Sequence, residues 1–220
     1  MNELLFLFHV IVVLLFTFIA LRIGKESLIA WMALLAVISN LFVVKQTELF
    51  ALQVTCADVY AVGAFLTLNL IQEYYGKECA TRTCIIALGA QVALLFLSQL
   101  HIMYIPSVYD ATHEAFNLIL TPYPRIVIAS FAVFYFVQRF DILIFQRMRD
   151  KLPFASFAFR STICLILSQL LDTILFSVFG LWGIVHSLWD VMLMSFLIKL
   201  IVIALTSPLT YLSRYIEPAR

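Results

Sequence analysis

Residues 160–176 read RSTICLILSQLLDTILF. The apolar run that contains them continues to Gly180 and is long enough to cross a bilayer. Yet Ser168, Gln169, Asp172 and Thr173 stand near its middle. At 100° per residue, Ser161, Ser168 and Asp172 fall within roughly 40° of one another, with Gln169 beside them. One narrow polar stripe therefore runs down an otherwise apolar helix. A charge at the bilayer centre costs about 2.5–3.5 kcal/mol on insertion scales. Asp172 must then face a partner, a cavity or a ligand, and the rest of the chain has to supply it.

The composition agrees with a membrane setting. Of 220 residues, 64% are hydrophobic and 12% charged, and the mean hydropathy is +1.03. A soluble domain is about half apolar and a quarter charged. These values indicate an all-α integral membrane protein. Six glycines and little strand-like alternation argue against a β-barrel. A net charge of +1 gives no reason to expect nucleic acid. Cys56, Cys79, Cys84 and Cys164 show no metal-ligand spacing and read as free buried thiols. The first apolar run has no basic residue before it and no small-x-small site after it, so a retained span is expected rather than a signal peptide.

Seven windows have the length and apolarity of a span: about 3–21, 27–44, 51–74, 83–105, 124–145, 158–180 and 189–212. Arg22 and Lys25 follow the first window, and Lys77 and Arg82 the third. Arg147, Arg149 and Lys151 follow the fifth, and Arg214 and Arg220 the seventh. The alternate connections are nearly free of base. This pattern puts the N-terminus outside and the C-terminus in the cytoplasm. The long connection from Pro106 to Pro122, with Tyr109, Asp110, His113 and Glu114, is expected on the outer surface.

Polar residues inside the windows form the candidate site. Asn40 closes the second window. Asp58, Asn69 and Glu73 share a face of the third at spacings of eleven and four. Gln138 and Asp141 share a face of the fifth, with Arg139 as a local partner. Lys199 lies about 15 Å into the seventh window, counted from Trp189, and Asp172 about 12 Å from the end of the sixth. These two are expected at similar depth, where pairing would reduce the cost of burying both. Asp58 reads as solvated or capping, and Glu73 as an interfacial, solvated carboxylate. His9, His101, His113 and His186 are scattered and read as interfacial or satisfied. The stretch best suited to a break runs from Thr47 to Gly63, since Lys45, Glu48, Gln53 and Asp58 interrupt the apolar pattern.

No catalytic signature competes. HExxH, GxSxG and a glycine-rich phosphate loop are all missing, and the THEAF at His113 fails the first. A carrier with a polar cavity is the leading reading, with Asn40, Gln169, Asp172 and Lys199 in its outer-to-middle part and Asn69, Glu73, Gln138 and Asp141 in its cytoplasmic part. An intramembrane enzyme acting on lipid would need a nucleophile or metal set that the spans lack. A binding subunit working with an ATPase partner is the third reading.

Several stretches together resemble the queuosine precursor transporter family, also called the vitamin uptake transporter family. They are Ser39–Asn40, NLIQEYYGKECATR from Asn69, RIVIASF from Arg125, QRFDILIF from Gln138, SQLLDTILF from Ser168, and Lys199 with Pro208 and Tyr211. Two positions depart from the pattern: Asn69 stands where an acid is common, and Gln72 where Thr is frequent. The resemblance covers roughly residues 27–212. It implies six core helices similar to the membrane S-components of energy-coupling-factor vitamin transporters. Residues 1–26 would then be an extra N-terminal span, and 213–220 a cytoplasmic tail. It also implies uptake of 7-deazaguanines (preQ0, preQ1 or queuine) through the inner membrane of a bacterium. The implied substrate contacts are Asn40, Asn69, Glu73, Gln138, Asp141, Gln169, Asp172 and Lys199. A carboxylate can accept from the ring N–H and the exocyclic amine, and an amide can serve the carbonyl. No cofactor and no metal are implied. The expected partners are the substrate, the lipid bilayer and, for assembly, a second copy of the chain.

Overall fold

In hydrocarbon every backbone polar group needs an internal partner, which favours helices throughout. The structure, a computed structural model, describes residues 2–42, 45–49, 52–55, 57–120, 124–182 and 188–206. Cys56, His186, Pro208, Tyr211 and the tail at 213–220 lie outside the described residues. Helices α1 (Asn2–Ile23) and α2 (Lys25–Phe42) meet at Gly24, whose φ of 127° makes the turn. A two-stranded antiparallel hairpin follows, β1 (Gln46–Leu49) and β2 (Leu52–Thr55). Then come α3 (Asp58–Ile102), a short α4 (His113–Leu120), α5 (Pro124–Lys151), α6 (Phe157–Phe176) with a π-helical extension at Ser177–Leu181, and α7 (Leu188–Thr206). The hairpin was not anticipated. It falls inside the stretch expected to be interrupted and delays the third span from residue 51 to Asp58. The connection before α5 also holds the unanticipated α4, though Tyr109 and Asp110 are exposed as expected. Asp110 accepts from the Thr112 backbone N–H and hydroxyl, both at 2.8 Å, which holds its carboxyl below the usual carboxylate range.

Helix α3 is not one rod. Gly63 sits against Leu35 of α2, while Gln91 accepts a hydrogen bond from Asn40, also on α2. Leu35 and Asn40 are about 8 Å apart along their helix; Gly63 and Gln91 would be about 42 Å apart on a straight one. The chain therefore doubles back at Gly76, whose φ of 84° and ψ of 171° break the helix. Its two limbs, 58–75 and 77–102, make separate passes. Five helices, α1, α2, α3, α5 and α6, are long and apolar enough to cross a membrane. A shorter apolar stretch, Ser195–Ala204, lies in α7, and the chain is a multi-pass membrane protein.

Two ends of the bundle can be told apart. The hairpin, Asp58 and the start of α5 lie at one. Gly76, the α1–α2 turn and the α5–α6 connection lie at the other. Arg22, Lys25, Lys77, Arg82, Arg147, Arg149 and Lys151 gather at the Gly76 end, where Arg149 donates to the Gln72 carbonyl at 3.2 Å.

Helix α1 is apolar on both faces. Leu4, Phe8, Ile11, Leu15 and Ile19 point outward, and Val10, Val13, Leu14 and Leu21 point into the bundle. Gly63 lets the first limb of α3 approach closely; a Cβ there would stand 2.7 Å from Val13 Cγ1.

Candidate functional site

Helix α6 starts behind Ser156, whose hydroxyl accepts from the Phe159 N–H at 3.2 Å. From there its polar stripe forms a ladder, each rung reaching a different position on a neighbouring helix. At the Gly76 end, Arg160 donates to Glu73 Oε1 at 2.8 Å and to the Ala155 carbonyl at 2.8 Å. Ser161 Oγ accepts from Asn69 Nδ2 at 3.3 Å. Two turns on, Ser168 Oγ donates to Asp141 Oδ1 at 2.6 Å. One turn further, Asp172 Oδ2 accepts from Lys199 Nζ at 2.6 Å. Lys199 also donates to Thr173 Oγ1 at 3.2 Å and lies 4.0 Å from Asp58 Oδ1.

The middle of the ladder is the richest in open hydrogen-bonding capacity. Asn69, Gln72, Gln138, Asp141 and Gln169 are fully buried. Gln72 Nε2 donates to the Ile142 carbonyl at 3.0 Å, which draws the first limb of α3 against α5 beside Asp141. Gln138 Oε1 accepts from the Cys84 thiol at 3.8 Å. Beyond these bonds, Asn69 Oδ1, Gln72 Oε1, Asp141 Oδ2, Gln138 Nε2 and both Gln169 amide atoms have no hydrogen-bond partner. Four of these atoms accept and two donate. A buried polar group left so costs about 1–3 kcal/mol, more for a charged one. This layer is suited to a small polar guest presenting more N–H groups than carbonyls.

Asn40 belongs elsewhere. It donates to Gln91 Oε1 at 2.8 Å and accepts from Ser130 Oγ at 2.5 Å, bridging α2, the second limb of α3 and α5. Asn40, Gln91 and Ser98 line a small pocket closed by Leu94, Ile119 and Phe131. The expectation that Asn40 joins Gln169, Asp172 and Lys199 in one group is thus corrected, because the Asn40 end of α2 meets the second limb of α3.

Three further expectations are corrected. Asp58 is neither solvated nor capping: it is 7% exposed and faces Lys199, because the hairpin moves the helix start to this residue. Arg139 does not serve Asp141; its guanidinium lies over the Tyr135 ring at 5.6 Å, outside the core. Glu73 is held by Arg160 rather than left to water. The expected Lys199–Asp172 pair is present. Gln72, Arg160, Thr173, Gln91 and Ser130 were missed as members of these groups. Arg160, an arginine opening a span opposite a glutamate closing another, carried the clearest signal. Cys79, Cys84 and Cys164 are free and buried, and no described group of three His, Cys, Asp or Glu residues is placed to hold a metal.

The model of a family described as "Putative vitamin uptake transporter" matches residues 55–213. A curated protein of Bacillus subtilis (strain 168), called "Probable queuosine precursor transporter", is 28% identical over 213 residues, covering 96% of this chain and 92% of that protein. No solved structure matches.

Proposed function

The chain belongs to the vitamin uptake transporter family, and we propose that it imports a queuosine precursor, one of the 7-deazaguanines preQ0, preQ1 or queuine, across a bacterial cytoplasmic membrane. The relative's name supports the substrate class. The observation that carries the reading is the buried layer of unpartnered polar atoms on Asn69, Gln72, Gln138, Asp141 and Gln169. A 7-deazaguanine offers four N–H bonds, from a ring N–H, an exocyclic amine and a pyrrole N–H, against two acceptors, the carbonyl and ring N3, which matches four acceptors and two donors. In this reading Asp141 Oδ2 accepts from the ring N–H or the amine. The Gln138 or Gln169 amide donates to the carbonyl, and the amide oxygens of Asn69, Gln72 and Gln169 take the remaining N–H groups.

The other sequence candidates meet the base at different stages. Asn40 lies toward the hairpin end and Glu73 at the Gly76 end, so alternating access would use them in turn. Asp172 and Lys199 border the binding layer one turn along α6. The basic residues at the Gly76 end support placing that end in the cytoplasm, with the N-terminus outside. Helix α1, within residues 1–26, would be an addition to a six-pass core at 27–212 of the S-component kind.

The test is rescue of tRNA modification. A bacterial strain unable to make the precursors is given this protein and fed preQ0, preQ1 or queuine separately, and queuosine in its tRNA is measured. Restored queuosine with at least one base is the expected result. Absence with all three, while the protein is present in the membrane, overturns the proposal.

A further inference from the structure

Lys199 is shared by two carboxylates, and one ammonium can neutralise only one of them. The lysine Nζ is bound to Asp172 at 2.6 Å and stands 4.0 Å from Asp58, beyond hydrogen-bond reach. Asp58 and Lys199 are buried, and the Asp172 side chain is 23% exposed. With all three groups ionised, the cluster would carry a net charge of −1 among largely buried side chains, an expensive arrangement. A proton on the second acid removes it.

Among the described residues, the groups facing this cluster do not supply another positive charge. Helix α7 packs against α1, α3, α6, the π-helical segment and β2. Helix α6 contributes Asp172 and Thr173, and the π segment contributes the buried Ser177. Helix α3 contributes Asp58 and Tyr60. Helix α1 brings His9, whose ring lies edge-on to Tyr60 at 4.5 Å. β2 carries no ionisable residue. A metal cation is disfavoured because the ammonium already occupies the space between the acids.

The cluster is mechanically tied to the binding layer. Asp172 is one turn, about 6 Å, along α6 from Ser168, whose hydroxyl holds Asp141. A helix moves such neighbours together. Just beyond Asp172 the helix passes into the π turn at Ser177–Leu181, the kind of irregular turn where helices bend. Gly180 there lies close beneath the Phe176 ring, 3.1 Å from where a Cβ would stand.

We propose that Asp58, Asp172 and Lys199 form a proton-coupling site, so that import of the base is proton symport. The proton sits on the carboxylate that Lys199 does not hold: Asp58 in the arrangement seen here. When α6 shifts with its bound base, the part-exposed Asp172 turns to water, Lys199 moves from it toward Asp58, and the proton leaves Asp58 for that water. No bond other than that O–H is broken. The inference rests on the transport reading above.

The experiment uses the full chain in proteoliposomes, with radiolabelled preQ0, preQ1 and queuine run in parallel. With an acid exterior, the wild type is expected to accumulate at least one base tenfold or more above equilibrium. A protonophore should abolish this, and replacing sodium with choline should not. Asp58→Asn should lose the accumulation while still exchanging labelled for unlabelled base, and Asp58→Glu should recover it. If Asp58→Asn does not fold, alkalinisation of the medium on adding base to wild-type vesicles decides alone. Accumulation insensitive to protonophore, or dependent on sodium, or undiminished in Asp58→Asn, overturns the coupling while leaving transport intact. Neither exchange nor uptake of any base overturns both readings.

Discussion

The two sides of this bundle are held together differently. On one side α1, α2 and the first limb of α3 meet through apolar contacts: Val13 and Leu35 against Gly63, with Leu21, Leu28 and Met32 buried nearby. On the other side α6 meets α3, α5 and α7 through Arg160, Ser161, Ser168 and Asp172, and polar atoms remain to be satisfied. The family match begins at residue 55 and so takes in the polar side while leaving out α1 and α2. Lipid is as apolar as leucine, so helices in a bilayer gain from close fit and from hydrogen bonds rather than from hiding apolar surface. The dry side uses fit. The polar side gives up some fit and leaves buried polar atoms unpartnered, which the proposed binding role would use.

The sharpest break in this contrast is at Lys199. Lys199→Met leaves Asp58 and Asp172 facing one another without the shared cation. Removing one partner of a buried ion pair costs about 3–5 kcal/mol, so a large fall in thermal stability in detergent is expected. Lys199→Met combined with Asp172→Asn should recover part of that loss. A single variant as stable as the wild type would show that the acids do not depend on the lysine.

Asp141→Asn tests the binding layer. The amide keeps the shape but turns one accepting oxygen into a donor against a donor-rich ligand. About a hundredfold loss of uptake is expected, equivalent to about 2.8 kcal/mol at 1.4 kcal/mol per tenfold, with the protein still present in the membrane. Uptake within threefold of wild type would remove Asp141 from the site.

How much of this was legible beforehand differs between the two sides. The α6 stripe was readable because a bilayer penalises every polar residue, so Ser161, Ser168 and Asp172 stood out and their angular spacing gave a shared face. The pairing of Asp172 with Lys199 followed from depth counting on two neighbouring spans. Asp58 was misread because the strand pair at 46–55 could not be told from an apolar helix by composition, and the helix start decides whether that acid is capping or buried. Asn40 was misgrouped for a related reason: Gly76 returns α3 past α2, and nothing in the spacing says which limb the Asn40 end of α2 meets. The dry side carried almost no signal, since α1 is apolar all round.

Gly63 probes fit on that dry side. Gly63→Val would place its Cβ 2.7 Å from Val13 Cγ1 and its methyls against Leu35. Overpacking of this kind costs about 1–3 kcal/mol, so a lower melting temperature is expected. Affinity for the base should change little, because the clash lies away from Asp141 and Gln169. A change in affinity exceeding the change in stability would mean that the two sides are coupled more tightly than their separate contacts indicate.

The smallest effect is expected at the polar contact that the dry side does contain. Trp31 Nε1 donates to Thr17 Oγ1 at 2.9 Å, and that hydroxyl donates in turn to the Val13 carbonyl at 2.8 Å. Thr17 is buried, and its bond joins α1 to α2. Thr17→Val keeps the shape and removes the hydroxyl. Interhelical hydrogen bonds in membranes average about 0.6 kcal/mol, so a shift in melting temperature of a degree or two is expected, with uptake unchanged. Here the partner of the lost hydroxyl is a single indole N–H beside an apolar seam. At Asp141 the lost oxygen would be one the ligand needs. If Thr17→Val impaired uptake as severely as Asp141→Asn, α1 would be part of the transport machinery rather than a packed neighbour of it.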